Sequence, residues 1–338
     1  MKKRLSLDRR FLLYIKKAGG VLVKKQMGAY VSLAAAMAIV GSSVVVGKLM
    51  VERIPVFLSS GLRFLIASVV LLMLLFCIEK GFPALTKKDV FVLLVQSFTG
   101  VFLFSICLLY GVQYTTGTES GILTSTTPMV IGILSFFLLR EKIEKKTLIG
   151  ILLAVCGVMA INLFGAGSQD GTPHALFGNM LIIAAVIGEA LFTLMAKLLS
   201  PHISALAIST FVSLFGFLFF LPFALFEASS FDYSVPTVLD WSYVLYYALF
   251  VTVLAFYLWY SGVTKVPAGV SGIFTSFLPV SAVILAGVLL KEPFELVHIA
   301  CVIGGIFVTV IKKKQPMRIR LQKKRRYSLS GSDGFFSL

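Results

Sequence analysis

Glu189 sits in Ile187-Gly188-Glu189-Ala190, inside an otherwise apolar run. At the centre of a membrane span an ionised carboxylate costs about 2.5 to 3.5 kcal/mol on insertion scales. Such a group is expected to hold a proton part of the time, which suits proton exchange against a cationic or zwitterionic molecule. The alternative is a hydrogen-bonded packing residue. Two further groupings have spacing with chemical meaning. Thr124-Ser125-Thr126-Thr127-Pro128 and Thr275-Ser276-Phe277-Leu278-Pro279 each place hydroxyls just before a proline. A proline within a helix removes the donor for the carbonyl four residues back, here Thr124 or Thr275. Thr124, Ser125, Pro128, Thr275, Ser276 and Pro279 are therefore expected beside a cavity or a hinge, unless the bend serves packing alone.

Three further groups are candidates. Glu119, in Gly117-Thr118-Glu119-Ser120-Gly121, stands at the start of an apolar run, where it can meet a substrate amine or remain a solvated interfacial carboxylate. Arg63, in Leu62-Arg63-Phe64, is a candidate for an ion pair or for an anchor snorkelling to the surface. The stretch from Trp241 to Tyr260 is crowded with aromatic side chains. Those at its ends are expected to form interfacial belts, whereas Tyr247 and Phe256 lie deeper and can line a cavity that accepts apolar or aromatic groups. No nucleophile, base and orienting group can be assembled, so enzyme activity has little support. The four cysteines and three histidines lack ligand spacing, and neither a metal site nor a cofactor is expected.

The elements that must hold these residues are transmembrane helices. Of 338 residues, 58% are hydrophobic and 14% charged, and mean hydropathy is +0.96, more apolar surface than a water-soluble core can hide. At about 20 residues per crossing, ten spans are predicted: 28–47, 58–78, 90–110, 117–139, 147–164, 177–199, 203–224, 240–262, 269–290 and 295–311. The net charge of +16 is placed asymmetrically. With the N-terminus in the cytoplasm, 27 of 31 Lys and Arg fall on the inner side, as the positive-inside bias requires. Both termini are thus expected to be cytoplasmic, with their basic ends against anionic lipid headgroups and with no role in binding nucleic acid.

The stretch Gly111–Glu141 recurs at a fixed offset of 151 as Gly262–Glu292, with 13 of 31 positions identical. Gly, Ser, Thr, Pro and Glu align as well as the greasy residues, so the chain is two copies of one unit. Five spans per copy is an odd number, so the second copy enters the membrane from the opposite side. The predicted fold is an all-α integral membrane protein of ten helices in two inverted five-helix repeats. The expected segments are a basic N-terminal piece (1–26, with Met27 an alternative start), a first repeat (27–164), an external linker (165–176), a second repeat (177–311) and a basic tail (312–338). Inverted repeats are a recurring route to alternating access.

Pro128 and Pro279 are each followed by an apolar run ending in Arg140-Glu141 or Lys291-Glu292, and then by Cys156-Gly157-Val158 or Gly304-Gly305-Ile306. With Leu62-Arg63-Phe64-Leu65, this pattern resembles the EamA family of the drug/metabolite transporter superfamily over residues 28–311. The resemblance implies a secondary carrier with a central cavity between its halves, often an exporter of amino acids or other small metabolites; the chain is expected to act as a monomer in the cell membrane. Related small multidrug exporters carry a proton-coupling glutamate in their first span. Here the first span has none, and Glu189 occupies the comparable place in the second copy. Two other readings stand beside the carrier: a membrane sensor or scaffold that kept the fold, and a passive facilitator.

Overall fold

The computed structural model describes residues 2–115, 117–139, 175–266, 268–275 and 277–290, with most side chains from Met27 onward. Among these residues every regular element is helical. Helix α1 (Lys2–Val51) runs unbroken from the basic N-terminal segment into the apolar stretch Met27–Val51. It is followed by α2 (Val56–Glu79), α3 (Lys87–Tyr114), α4 (Gly117–Thr124), α5 (Thr127–Leu139), α6 (Ala175–Met195), α7 (Ala205–Ser230), α8 (Val238–Val263), α9 (Ala268–Phe274) and α10 (Phe277–Leu285). Six described helices are long and apolar enough to cross a membrane, namely the Met27–Val51 part of α1, then α2, α3, α6, α7 and α8. The predicted spans 117–139 and 269–290 fall on the pairs α4–α5 and α9–α10. The predicted spans 147–164 and 295–311 lie outside the described residues.

Side chains turned outward are strongly apolar, among them Phe226 at 78% and Ile78 at 66% exposure. Facing water, these would form an adhesive patch. Facing hydrocarbon, they are solvated by lipid.

Local sequence sets where the helices begin. Thr86 and Asp89 form a capping box at the start of α3, and Thr237 and Asp240 form another at the start of α8. In each, the carboxylate satisfies the backbone N–H of the capping threonine, at 3.1 Å in the first and 2.7 Å in the second, one of the donors a helix start leaves open. The two boxes lie 151 residues apart, so the repeat offset extends back beyond Gly111. Both helices also contain a π-helical turn, Phe98–Leu103 in α3 and Tyr247–Leu254 in α8.

The packing follows the duplication. Helix α1 lies against α8 and α10, while its counterpart α6 lies against α3 and α5. Helices α2 and α7, equivalent in the two copies, pack along each other. Leu58 N–H donates to Glu227 Oε2 at 2.7 Å, Phe64 stacks on Phe220 with centroids 5.6 Å apart, and Thr210 reaches the Leu71 carbonyl. Numbering rises along α2 as it falls along α7, so the two helices are antiparallel. Equivalent helices that run antiparallel are related by an axis perpendicular to them, the relation an inverted repeat requires.

Lys48 and Lys197 repeat the symmetry at the residue level. Lys48 Nζ donates to the Thr115 carbonyl past the end of α3, and Lys197 Nζ to the Val266 carbonyl past the end of α8. Each ammonium thus meets a carbonyl beyond a helix end where backbone acceptors lack intrahelical donors.

Candidate functional site

A cavity of about 50 Å³ lies between α1, α2, α3, α6 and α8. By the order-of-magnitude measure that a water needs at least about 10 to 15 Å³, it holds a small solute or a few waters. Its walls use the same register in both repeats. Gly100 pairs with Val251, Phe104 with Ala255, Ser105 with Phe256 and Leu108 with Trp259, all at an offset of 151 and all lining it. The offset thus carries the duplication through the middle of α3 and α8.

Two ionisable side chains, one basic and one acidic, face this space, one from each repeat. Arg63 on α2 is 4% exposed. Its Nε donates to Thr252 Oγ1 at 2.6 Å, and its guanidinium carbon lies 4.4 Å from the Phe64 ring centroid and 4.7 Å from that of Tyr247. Aromatic faces attract a cation through their quadrupole. The guanidinium is thus held between rings, with no carboxylate paired to it among the described residues. Tyr247 is fixed in turn, its hydroxyl donating to the Ser43 carbonyl on α1.

Glu189 on α6 is 6% exposed. Its Oε2 lies 2.9 Å from Thr127 Oγ1 on α5, and its Oε1 has no hydrogen-bond partner among the described residues. Two other buried polar atoms on the wall share that condition, Ser105 Oγ and Trp259 Nε1. Buried polar groups are generally satisfied, so three unsatisfied ones on a single cavity point to a missing partner.

Thr127 links Glu189 to the break in the first copy. Helix α4 ends at Thr124 and α5 begins at Thr127. Pro128 leaves the Thr124 carbonyl without its helical donor, and the Thr127 hydroxyl stands 2.8 Å from that oxygen. A threonine hydroxyl has one hydrogen to give. An ionised Glu189 and the Thr124 carbonyl therefore compete for it, whereas a protonated Glu189 can donate to Thr127 and leave its hydrogen on Thr124. The second copy breaks at the equivalent place, between α9 and α10, and is patched differently: Leu278 N–H donates to the Thr275 carbonyl at 3.1 Å, and Thr275 Oγ1 donates to Gly272. Leu278 replaces Thr127, and the hydroxyl link is confined to one side.

The structure thus gathers Arg63, Glu189, Tyr247 and Phe256 at one cavity. Thr124, at 3% exposure, and Thr275, fully buried, mark the two helix breaks, with Ser125 in the first, which reaches the cavity through the Thr127–Glu189 contact. Pro128 and Pro279 lie in the first turn of α5 and of α10. Ser276 lies outside the described residues. Glu119 is elsewhere, at the end of the bundle, where its Oε2 takes the Thr115 hydroxyl at 2.5 Å near Asn179. Sequence reasoning missed Ser105 and Trp259. Trp259 lies near the end of its span, where an interfacial role is expected, yet it is 2% exposed and turned to the cavity. Reading the offset of 151 back to Thr86 and Asp89 would have paired Ser105 with Phe256; Trp259 pairs with Leu108 and carries no such signal.

Comparison with known proteins agrees with this architecture. The model of the EamA-like transporter family matches the chain twice, over residues 27–163 and 176–311. The chain is 97% identical over 319 residues to uncharacterized transporter YetK of Bacillus subtilis (strain 168), covering 94% of this chain and 97% of that one. Uncharacterized transporter YyaM of the same organism is 22% identical over 83% of this chain and 93% of its own length. A crystal structure 17% identical in sequence superposes with a TM-score of 0.61, covering 85% of this chain and 98% of the other, and so shares the fold. With the family's model laid twice along a chain whose equivalent helices pack antiparallel, the protein is a multi-pass membrane protein belonging to the EamA-like transporter family.

Proposed function

We propose that the protein is a secondary transporter that exports small organic metabolites such as amino acids from the cell, by alternating access of the central cavity between two inverted repeats. It works as a monomer in the cell membrane with both termini cytoplasmic, its basic ends resting on anionic headgroups. The observation carrying this reading is the cavity itself, walled at equivalent positions by α3 and α8, with the helix break of the first repeat tied to it through the Thr127–Glu189 contact. Discontinuous helices that face a site between inverted repeats are the parts a rocking carrier uses. Export is driven by proton exchange at Glu189. Thr127 from α5 contacts its carboxyl, and Arg63 from α2 and Tyr247 from α8 face the same space.

The test is flux of labelled L-leucine from proteoliposomes under an imposed pH gradient, comparing wild type with Glu189→Gln. Wild-type efflux is expected to accelerate with the gradient, and E189Q flux to be indifferent to it. An E189Q protein that still responds to the gradient removes Glu189 from coupling. Wild-type equilibration without any response points to a facilitator, and no flux to a sensor or scaffold.

A further inference from the structure

We propose that Asp89 and Asp240, equivalent residues at opposite ends of the bundle, are positioning residues that fasten one repeat to the other across the two mouths of the cavity, and that their unequal grip sets which mouth opens more readily. The inference rests on the carrier reading above and adds to it a preferred resting orientation.

Helices α3 and α8, which wall the cavity at equivalent positions, begin at opposite ends of the bundle, because each follows one of the antiparallel helices α2 and α7. Each begins with a capping box, and in each the carboxylate that caps the helix also reaches across to the other repeat. Asp89 Oδ1 accepts the Ser200 N–H and its Oδ2 the Ser200 hydroxyl, both at 2.9 Å, so the start of α3 grips the loop between α6 and α7. Asp240 Oδ2 lies 3.6 Å from Arg53 Nη1, which belongs to the loop between α1 and α2. Both contacts therefore join a helix start of one repeat to the first loop of the other. For the cavity between α1, α2, α3, α6 and α8 to open at either end, that start and that loop must part.

The two fastenings differ in strength. Asp89 is 0% exposed and holds Ser200 through two charge-assisted hydrogen bonds, the stronger kind. At the same end His202 Nε2 lies 3.0 Å from the Ala84 carbonyl, a further contact between the repeats. Arg53 is 51% exposed, and an ion pair open to solvent is weak and screened by salt. The Leu58–Glu227 bond also lies at the outer end, but it joins α2 to α7, which touch at successive levels from Leu58 to Leu71 and serve as the pivot. With the termini cytoplasmic, α3 begins at the inner face and α8 at the outer. The inner mouth is thus held firmly and the outer mouth loosely, so the protein rests closed to the cytoplasm and opens more readily to the outside.

Sided labelling of the full-length protein in membrane vesicles tests this. Ser105 lines the cavity, so Ser105→Cys, with the four native cysteines changed to alanine, puts a thiol where a reagent arrives only through an open mouth. A membrane-impermeant methanethiosulfonate is applied to right-side-out and to inverted vesicles of this parent protein, and labelling is expected to be faster from the outside. Ser200→Ala removes one bond to Asp89 and leaves the α3 cap intact. It is expected to speed labelling from the cytoplasmic side roughly tenfold, the scale of one hydrogen bond to a charged group, and to slow it from the outside. Arg53→Gln is expected to act in the opposite sense by about two- to fivefold. High external salt is expected to mimic it in the parent and to add nothing in the R53Q protein. The S200A R53Q double variant is expected to fall between the single ones. Equal acceleration from both faces, shifts in the reverse sense, unchanged sidedness, a parent labelled faster from the inside, or no labelling from either face overturns the proposal. Should S200A not fold, Arg53→Gln and the salt series decide alone. Sided shifts without leucine flux leave the fastenings standing and refute the carrier. Leucine flux with unshifted labelling does the reverse.

Discussion

A single hydroxyl at Thr127 stands between the carboxyl of Glu189 and the backbone break at Thr124. Through it, the charge on Glu189 decides where the one hydrogen of the hydroxyl goes. Thr127→Val removes that hydrogen and leaves Glu189 Oε2 without its donor. The substitution is expected to destabilise the protein by about 1 to 3 kcal/mol, the cost of stranding buried polar groups, read by thermal unfolding. It is also expected to blunt the response of flux to a pH gradient, and Thr127→Ser is expected to restore that response. A full response in the valine variant separates Glu189 from the helix break. The carboxylate was legible in the sequence because an acidic residue in an apolar run is conspicuous. Its partner was not, because Thr127 lies 62 positions away and their meeting depends on how α5 packs on α6. Arg63 was equally open, since whether a guanidinium snorkels or turns inward depends on the rings of Phe64 and Tyr247 between which it is held.

Among the elements, the devices that interrupt helices split into those with a sequence signature and those without. Pro128 and Pro279 announce the breaks between α4 and α5 and between α9 and α10, because a missing N–H is a local property. The π-helical turns of α3 and α8 carry no such mark. In α8, Thr252 donates to the Tyr247 carbonyl five residues back and accepts from Arg63, so this turn's fit depends on a contact across the halves. Such turns recur at functional sites. Pro128→Ala and Pro279→Ala restore the backbone N–H that each proline removes. Because both prolines sit in the first turn of their helices, where the residue is tolerated, stability is expected to rise by at most about 1 kcal/mol, and flux to slow at least roughly tenfold if the break must flex during the cycle. A variant that is more stable and equally fast shows the break to be a packing feature.

Across the whole molecule, the fixed offset of 151 is the organising fact. It was legible as a repeat from Gly111 onward, and the capping boxes of α3 and α8 extend it to Thr86 and Thr237. The antiparallel packing of α2 on α7 is the relation an inverted repeat requires. Sequence alone reached that conclusion by counting spans, two of which, 147–164 and 295–311, lie outside the described residues. The two halves agree on the scaffold and differ at the charges, with Arg63 from one, Glu189 from the other, and Leu278 where its counterpart has Thr127. Departures of this kind give a symmetric frame a chemical direction. Opening of this cavity to each side in turn is tested by counterflow. Proteoliposomes preloaded with unlabelled L-leucine are placed in a trace of labelled leucine without a pH gradient. A transient accumulation of label above equilibrium is expected, and it is absent from vesicles without internal leucine. Label that only equilibrates, at a rate independent of the internal leucine, would contradict it.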